Sequence, residues 1–424
     1  MKKVKFHTLG CKVNFYETEA MKGLFENAGY IVTEDSNADV FVINTCTVTS
    51  VSDKKSRQMI RRAKKENPKA IVAVVGCYSQ ISPDKVKKID GVDIVLGTTD
   101  RNKIVEYVEK FEGVQISYVK DEIPCVFENL NSIHQSRTRA VLKIQDGCRN
   151  FCTYCIIPFA RGPLRSKPLG DIVSEVGKLA KDGYSEIVLV GINIAVYGAD
   201  TDSSLVEVIE KVCAVKGIKR VRLGSIEPNI ITDEFVSRIE KYDNFCHQFH
   251  LSLQSGSASV LKRMNRHYSP EEYLNVVKKL NKAFCDCAVT TDVMVGFPGE
   301  TDGEFEESMN TVKKAGFSSI HVFPYSRRKG TTADKMENQV SEDVKTKRAQ
   351  MMIDLGKELK MNFFKKYLNK TASVLFEREI SPGVFEGHTS NFINVIAHGM
   401  AKKGEMGDVL LTGFKDDYMT GEIK

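Results

Sequence analysis

Between residues 138 and 364 the chain passes six times from a short apolar run, through a polar loop, into a helical pattern. The apolar runs are Ala140–Ile144, Glu186–Val190, Arg220–Leu223, Gln248–Leu251, Val289–Met294 and Ile320–Phe323. The helical patterns include Asp171–Lys181, Leu205–Val215, Asp233–Lys241, Pro270–Phe284 and Asp302–Ala315. Strands joined through helices pair in parallel with right-handed crossovers, which leaves few topologies. Six such units predict a partial (β/α)6 barrel rather than a closed eight-fold one. Loops at the carboxyl ends of the strands carry the chemistry of such barrels, and the loop after the first strand is the run GCRNFCTYC, with Cys148, Cys152 and Cys155.

Three thiolates on one short loop can hold three corners of a four-iron cluster. Such clusters normally take four cysteines, so a triplet with no nearby fourth leaves one iron for another ligand. A structural zinc site is the main rival. It needs four ligands at recognisable spacing, and the nearest histidines, His134 and His250, supply none. A disulfide framework fits poorly with eleven cysteines, a long chain and an opening Met1-Lys2-Lys3 with no apolar leader behind it. The longest apolar run, Ala70 to Tyr78, is far short of the roughly 20 residues that cross a bilayer. These features lead us to expect a cytoplasmic protein with reduced thiols and no membrane partner. The C-x-x-x-C-x-x-C pattern, with Tyr154 before its last cysteine, resembles the radical S-adenosylmethionine (SAM) superfamily. That resemblance implies a [4Fe-4S] cluster whose open iron chelates SAM and delivers an electron to break its sulfur–carbon bond.

The first region, residues 1–112, alternates strand and helix patterns: Val4–Leu9, Val40–Ile43, Ile71–Val75 and Ile94–Leu96 around helical stretches such as Glu17–Asn27 and Lys54–Glu66. A parallel α/β sheet is predicted. Cys11, Cys46 and Cys77 each fall just after one of its first three strands, in TLGC, INTC and VVGC contexts. The ligand crevice of an open α/β sheet lies beyond the carboxyl ends of its strands, so the three thiols would converge. Gly10 and Gly76 would let the backbone approach a bulky ligand. One reading is a second cluster with three protein ligands; the other is three unrelated core cysteines.

Residues 113–137 read as a linker with Pro124 and Cys125, and 138–364 as the barrel core. Residues 367–424 change to short alternating segments (Ser373–Phe376, Phe392–Ala397, Val409–Gly413) broken by Pro382-Gly383, Gly399, Gly404 and Gly407. A small OB-like β-barrel is predicted, of a kind that often binds RNA. From Lys370 onward it carries six Lys/Arg against eight Asp/Glu, a net of −2. RNA contact there would use Lys402 and Lys403, or stacking on Phe385 and Phe392. The whole chain is mildly basic at +6, and its cations cluster: Arg57, Arg61, Arg62, Lys64 and Lys65 on one helix, then Lys262, Arg263 and Arg266, then Arg327, Arg328 and Lys329. Together they suggest a polyanionic partner.

Taken along its whole length, the chain resembles the methylthiotransferases, whose final barrel is called the TRAM domain. The matching strings are LGCKVNFYET (9–18), VINTCTVT (42–49), GCRNFCTYCIIP (147–158), SLQSGS (252–257), VGFPGET (295–301) and FPYSRRKGT (323–331). Lys12-Val13-Asn14 is similar to the branch acting on tRNA carrying N6-threonylcarbamoyladenosine at position 37. The isopentenyladenosine branch reads GCQMN there, and the ribosomal-protein aspartate branch LGCPKN. The chain departs from the family's RGRERSRP after the cluster loop, with Pro163-Leu164 in the middle and Lys167 before Pro168, and Ala258 follows SLQSGS.

The resemblance implies two [4Fe-4S] clusters, one on Cys148, Cys152 and Cys155 that reduces SAM, and one on Cys11, Cys46 and Cys77 that supplies the methylthio group. The partners it implies are a tRNA anticodon stem-loop and an electron donor such as a flavodoxin or ferredoxin. Polar residues at strand ends are the candidate SAM contacts: Gly191 and Asn193, Ser225 and Glu227, and Gln254, with Tyr154 beside the cluster. Gly296 and Gly299 are candidates for close backbone approach, and Arg161 and Arg165 for phosphate or SAM carboxylate. No role is assigned to Cys125, Cys213, Cys246, Cys285 or Cys287, although Cys285 and Cys287 alternate as if packing along a strand. A non-catalytic iron–sulfur or zinc-stabilised RNA-binding protein is the rival of another class.

Overall fold

Parallel pairing organises the first 118 residues. The computed structural model, which describes residues 1–132 and 134–424, has a six-stranded sheet there in the order Ile31–Val32, Lys3–Thr8, Val40–Thr45, Ile71–Gly76, Ile94–Leu96, Ile116–Tyr118. Every neighbouring pair is parallel. The central strand Val40–Thr45 is buried along its whole length, as expected where helices cover both faces. Val40 and Val42 pack against Met21 and Phe25 on one side, and Phe41 and Ile43 against Ile60 and Ala63 on the other. Two short strands escaped the sequence reading. Ile31–Val32 is an edge pair, and Ile116–Tyr118 lies inside the stretch read as linker.

Six longer parallel strands follow, and each overlaps its predicted run: Ala140–Lys143, Glu186–Val190, Arg220–Leu223, Gln248–Leu251, Ala288–Val295 and Ser319–Pro324. They form two sheets linked by a parallel bridge between Val221 and Phe245. The barrel stays open, and its two outer strands are covered rather than left as bare edges. Val13 and Tyr16, from the helix Lys12–Asn27, join the core against the first strand, and Met352 and Leu355, from the 24-residue helix Glu342–Lys365, join it at the last.

That long helix then donates Phe363 and Phe364 to the core of a closed five-stranded barrel. Its strands run in the order Thr371–Ser381, Val384–Thr389, Asn394–His398, Tyr418–Ile423, Met406–Lys415. Phe385 is buried in this core, so it is not a stacking surface for bases. No helix among the described residues is long and apolar enough to cross a membrane.

A buried ionic cluster joins the first sheet to the open barrel. Glu17, with no solvent exposure, pairs with Arg101 at 2.5 Å, Arg161 at 2.5 Å and Lys143 at 2.7 Å. Asp146 pairs with Lys143 at 2.5 Å and Arg165 at 3.3 Å, and Glu128 with Arg101 at 2.6 Å. Burial alone would raise the Glu17 carboxyl, but the charges of Arg101, Arg161 and Lys143 outweigh it and hold it at about 2. Removing one member of such a cluster strands the others without a counter-charge, which costs about 3–5 kcal/mol. Glu17→Gln is therefore expected to lower the unfolding free energy by about that much in denaturant titrations. Because the Glu17 pKa is lowered on folding, its contribution should be complete above the usual carboxylate range and disappear as the pH falls towards 2.

Candidate metal centres and the trough between them

The three amino-terminal cysteines sit at one end of the first sheet. Cys11 caps the helix Lys12–Asn27, its carbonyl accepting from Phe15 N at 3.1 Å. Cys46 follows Val40–Thr45, and Cys77 opens the short helix Cys77–Ile81. Asn14 stitches the first two loops together by donating to Leu9 O at 2.7 Å and Thr45 O at 3.0 Å. Backbone geometry keeps the space between them free of side chains. Gly10 (φ 105°) and Gly76 (φ 97°) lie in the left-handed region. A Cβ on Gly10 would stand 2.8 Å from Cys46 Cβ and 3.0 Å from its Sγ, and one on Gly76 would stand 2.7 Å from Thr45 O. Burial raises all three thiols, and each feels the charge of a neighbouring cysteine as well.

Cys148, Cys152 and Cys155 lie on the loop after the first barrel strand. The loop is pinned by its backbone: Cys148 N donates to Gly162 O at 3.2 Å, Thr153 N to Met264 O at 3.1 Å and Cys155 N to Cys152 O at 2.9 Å. Burial raises Cys148 and pushes Cys155 up to about 12. Among the described residues, no group of three or more His, Cys, Asp or Glu is drawn tight enough to hold a single metal ion. A four-iron cluster asks for something else, one thiolate per corner. Both donor sets are all sulfur, and the neighbouring carboxylates Glu17, Asp146 and Glu227 are already engaged by cations. The residues present fit iron–sulfur clusters and do not form a zinc cage.

Cationic side chains reach the sulfurs from across the fold. Arg161 Nε donates to Cys77 Sγ at 3.2 Å while its other nitrogens bind Glu17 and, at 2.6 Å, Asn14 Oδ1. Arg266 Nη1 donates to Cys152 Sγ at 3.4 Å, pairs with Glu227 and lies over the Tyr268 ring. Arg161 is fully buried, and Arg165 donates to Pro124 O and Arg161 O. The expectation that these two meet phosphate or SAM is corrected: both are spent inside the protein. The second and third basic groups are partly engaged as well, although Lys262, Arg327 and Lys329 lie exposed. Arg263 pairs with Glu304, Arg327 with Asp334, and Arg328 with Asp53 behind the Cys46 loop. On the helix Ser50–Glu66, Arg61 and Lys65 remain exposed and, among the described residues, unpaired.

The candidate SAM contacts fall into separate places. Asn193 and Glu227 line a small cavity of about 50 Å³ beside Asn150, and the Asn193 side chain hydrogen-bonds the Cys148 thiol. Asn193 N also donates to Gln145 Oε1 at 2.8 Å. Gly191 stands against Gln145, where a Cβ would lie 2.9 Å from its carbonyl oxygen. Tyr154 and Gln254 line a cavity of about 240 Å³ with Cys155, Asp292 and Met294. Gln254 there adopts φ 64°. Ser225 opens instead into a larger cavity of about 470 Å³. Gly296, at φ 70°, packs against Lys345, and Gly299 has room around it. Cys213, Cys246 and Cys287 are buried, while Cys125 and Cys285 are exposed. Cys285 and Cys287 precede the strand Ala288–Val295 rather than alternating within it.

Three cavities, the small one beside Asn150 excepted, share lining residues and make one trough. The 240 Å³ cavity also takes Val48 and Thr49 from the loop that carries Cys46, so it touches both cysteine-bearing loops. It meets the 470 Å³ cavity at Asp292 and Phe323. A third cavity of about 340 Å³ shares Lys12, His388 and Phe392 with the second. Phe392 stacks on His388, with Arg139 and Arg222 each within 5 Å of its ring. Asp292 was not singled out from the sequence, while Arg266 was read only as one of a basic group and Lys12 and Asn14 only as part of a branch signature. Asn14 stands one helical turn past Cys11. Replacing Gly10 by alanine should drive a methyl group into Cys46. The expected result is about half the wild-type iron after anaerobic reconstitution, with the Cys148 loop still loaded.

Known proteins match this chain over most of its length. The radical SAM superfamily model matches residues 142–312, and the model of an uncharacterized protein family, UPF0004, matches residues 3–97. The threonylcarbamoyladenosine tRNA methylthiotransferase MtaB of Bacillus subtilis (strain 168) is 45% identical over 94% of this chain and 91% of its own. The tRNA-2-methylthio-N(6)-dimethylallyladenosine synthase of Clostridium botulinum (strain Okra / Type B1) is 39% identical over 87% of this chain and 85% of its own. The radical S-adenosylmethionine methyltransferase TsrM of Kitasatospora setae shares the fold at TM-score 0.60 and 12% identity, covering 78% of this chain and 77% of that one.

Proposed function

The chain belongs to the tRNA methylthiotransferases of the radical SAM superfamily, and we propose that it converts N6-threonylcarbamoyladenosine at tRNA position 37 to its 2-methylthio form. The observation that carries this reading is the trough touching both cysteine-bearing loops, in a chain 45% identical to a relative of that name. Carbon 2 of adenine bears no acidic proton, so no side-chain base can open its carbon–hydrogen bond. Iron–sulfur clusters on Cys148, Cys152 and Cys155 and on Cys11, Cys46 and Cys77, with SAM, supply the radical and sulfur chemistry when bound.

The protein's own residues bind, orient and exclude. Val48, Ile156, Ile157, Met294 and Phe323 give the cavity beside Cys155 apolar walls, which keep water from the reacting carbon. Asp292 holds His250 Nε2 at 3.2 Å in the trough floor. Asn193 and Glu227 in one cavity, and Gln254 in another, offer polar groups to SAM. Arg161 and Arg266 fix the sulfurs of Cys77 and Cys152 by donating to them. The exposed Arg61 and Lys65, with Lys402 and Lys403, suit the phosphates of an anticodon stem. A cytoplasmic flavodoxin or ferredoxin is the proposed source of electrons.

Two clusters predict about eight irons per chain. The triple variant Cys148→Ala, Cys152→Ala, Cys155→Ala should retain about half, and unchanged iron would overturn the assignment. Nucleoside mass analysis of tRNA from cells lacking the protein should show threonylcarbamoyladenosine without its methylthio group. Loss of the methylthio group from the isopentenyl nucleoside instead would place the chain in the other tRNA branch.

A further inference from the structure

Four cations stand around the junction of the two larger cavities, and they are not equivalent. Arg139 pairs with Glu377 at 3.1 Å. Arg222 pairs with Glu186 at 2.8 Å and donates to Ser390 O and Thr389 O. Lys12 and Arg137 have no carboxylate partner among the described residues. Arg137 lies 4.0 Å above the Phe15 ring, one helical turn from Lys12, and both side chains are open to solvent. Lys12 lines both larger cavities and Arg137 the smaller of these two. The pair forms a solvent-open cationic wall of the trough, paired with no carboxylate among the described residues although Glu377 and Glu386, with Lys403, line the same cavity.

The position of that wall matters. Lys12 is the residue after Cys11, so its ammonium lies close to the amino-terminal cysteine site. In adenine, carbon 2 and the carbon that bears N6 flank the same ring nitrogen. A substituent on N6 therefore begins within a few bond lengths of the reacting carbon and must be accommodated near the same cysteines. The threonylcarbamoyl group ends in a carboxylate and a hydroxyl, whereas an isopentenyl group is wholly apolar.

We propose that Lys12 and Arg137 bind the carboxylate of the N6-threonylcarbamoyl group and so set the substrate branch of the enzyme. This rests on the functional reading above and names the residues that give it specificity. A backbone phosphate offers the same oxyanion chemistry. Two observations favour the carboxylate: the wall is reached through cavities that also border Asp292 and His250, and the side chains exposed on the outer face of the Ser50–Glu66 helix already suit phosphates.

The test uses the reconstituted full-length enzyme and three anticodon stem-loop RNAs, carrying threonylcarbamoyladenosine, its carboxylate methyl ester, or unmodified adenosine. A charge-assisted hydrogen bond is worth about 10- to 100-fold, so esterification should cost the wild type about that factor in kcat/KM. Lys12→Met should raise KM for the acid RNA by a similar factor, with the loss on KM rather than kcat, and should change the ester by less than about threefold. Arg137→Gln, far in sequence from any cysteine, should show the same pattern, which guards against a disturbed Cys11 loop. Iron content measured on each variant reports that loop directly.

Equal losses on acid and ester, with weaker binding of the unmodified RNA, would assign the cations to a backbone phosphate and overturn the proposal. A wild type that turns over the acid RNA without regard to esterification would overturn it alone and leave the functional reading intact. A wild type that methylthiolates neither the threonylcarbamoyl RNA nor its ester would overturn both.

Discussion

The Glu17 carboxylate is the point on which the two α/β units depend. It is buried, and it meets Arg101 from its own sheet and Lys143 and Arg161 from the open barrel. A lone buried carboxylate would be prohibitive, and a cluster with excellent geometry is sustainable only while intact. The cluster has directional consequences. Around it stand four cations, Arg101, Lys143, Arg161 and Arg165, against three carboxylates, Glu17, Asp146 and Glu128. The surplus is not idle: Arg161 turns its Nε toward the sulfur of Cys77. The interaction that docks the barrel on the sheet thus also reaches a candidate cluster cysteine. Relative placement of the two cysteine triplets and electrostatics at Cys77 are therefore fixed by the same side chains.

A second constraint comes from strand polarity. Both units are parallel, so both present their loops, and their cysteines, at strand carboxyl ends. Bringing those ends toward one another makes a space lined by Thr49 from one unit and Cys155 from the other. The proposed reaction, with a sulfur-bound centre on each triplet, would use that arrangement. Arg328 adds to it from the far side, pairing with Asp53 at 2.6 Å so that the end of the barrel also grips the Cys46 loop.

The strand–loop–helix rhythm and the position of each cysteine were legible because both are local. A strand buried on both faces reads as a short apolar run, and Val40–Thr45 or Glu186–Val190 cannot be mistaken for an amphipathic helix. Edge strands such as Ile31–Val32 are too short to leave a pattern. The arginines were misread for a different reason. Arg161 follows a cysteine loop and looks like an anion site, yet its partners Asn14, Glu17 and Cys77 lie 84 to 147 residues away. Pairing over such separations leaves nothing in the neighbouring sequence. Phe385 failed similarly: alternation in a small closed barrel does not say which face is the inside, and the side chain belongs to the core. Phe392, on a bend at φ 69°, stays accessible.

The small carboxyl-terminal barrel is anchored in a way that separates holding from recognition. Arg220 and Arg222, on one barrel strand, donate to the carbonyls of His388, Ser373, Ser390 and Thr389. Glu186 balances their charge from the neighbouring strand, at 2.8 Å from Arg222. Backbone carbonyls are present whatever side chains the small barrel carries, so its docking places few demands on its sequence. Its side chains at the trough mouth, His388 and Phe392, stack on each other with two arginines beside the ring. An aromatic pair held by neutralised arginines presents a flat polarisable face without a free charge. The unneutralised Lys12 and Arg137 stand next to it. Stacking and charge are thereby offered side by side, the former indifferent to which base arrives and the latter selective for what that base carries.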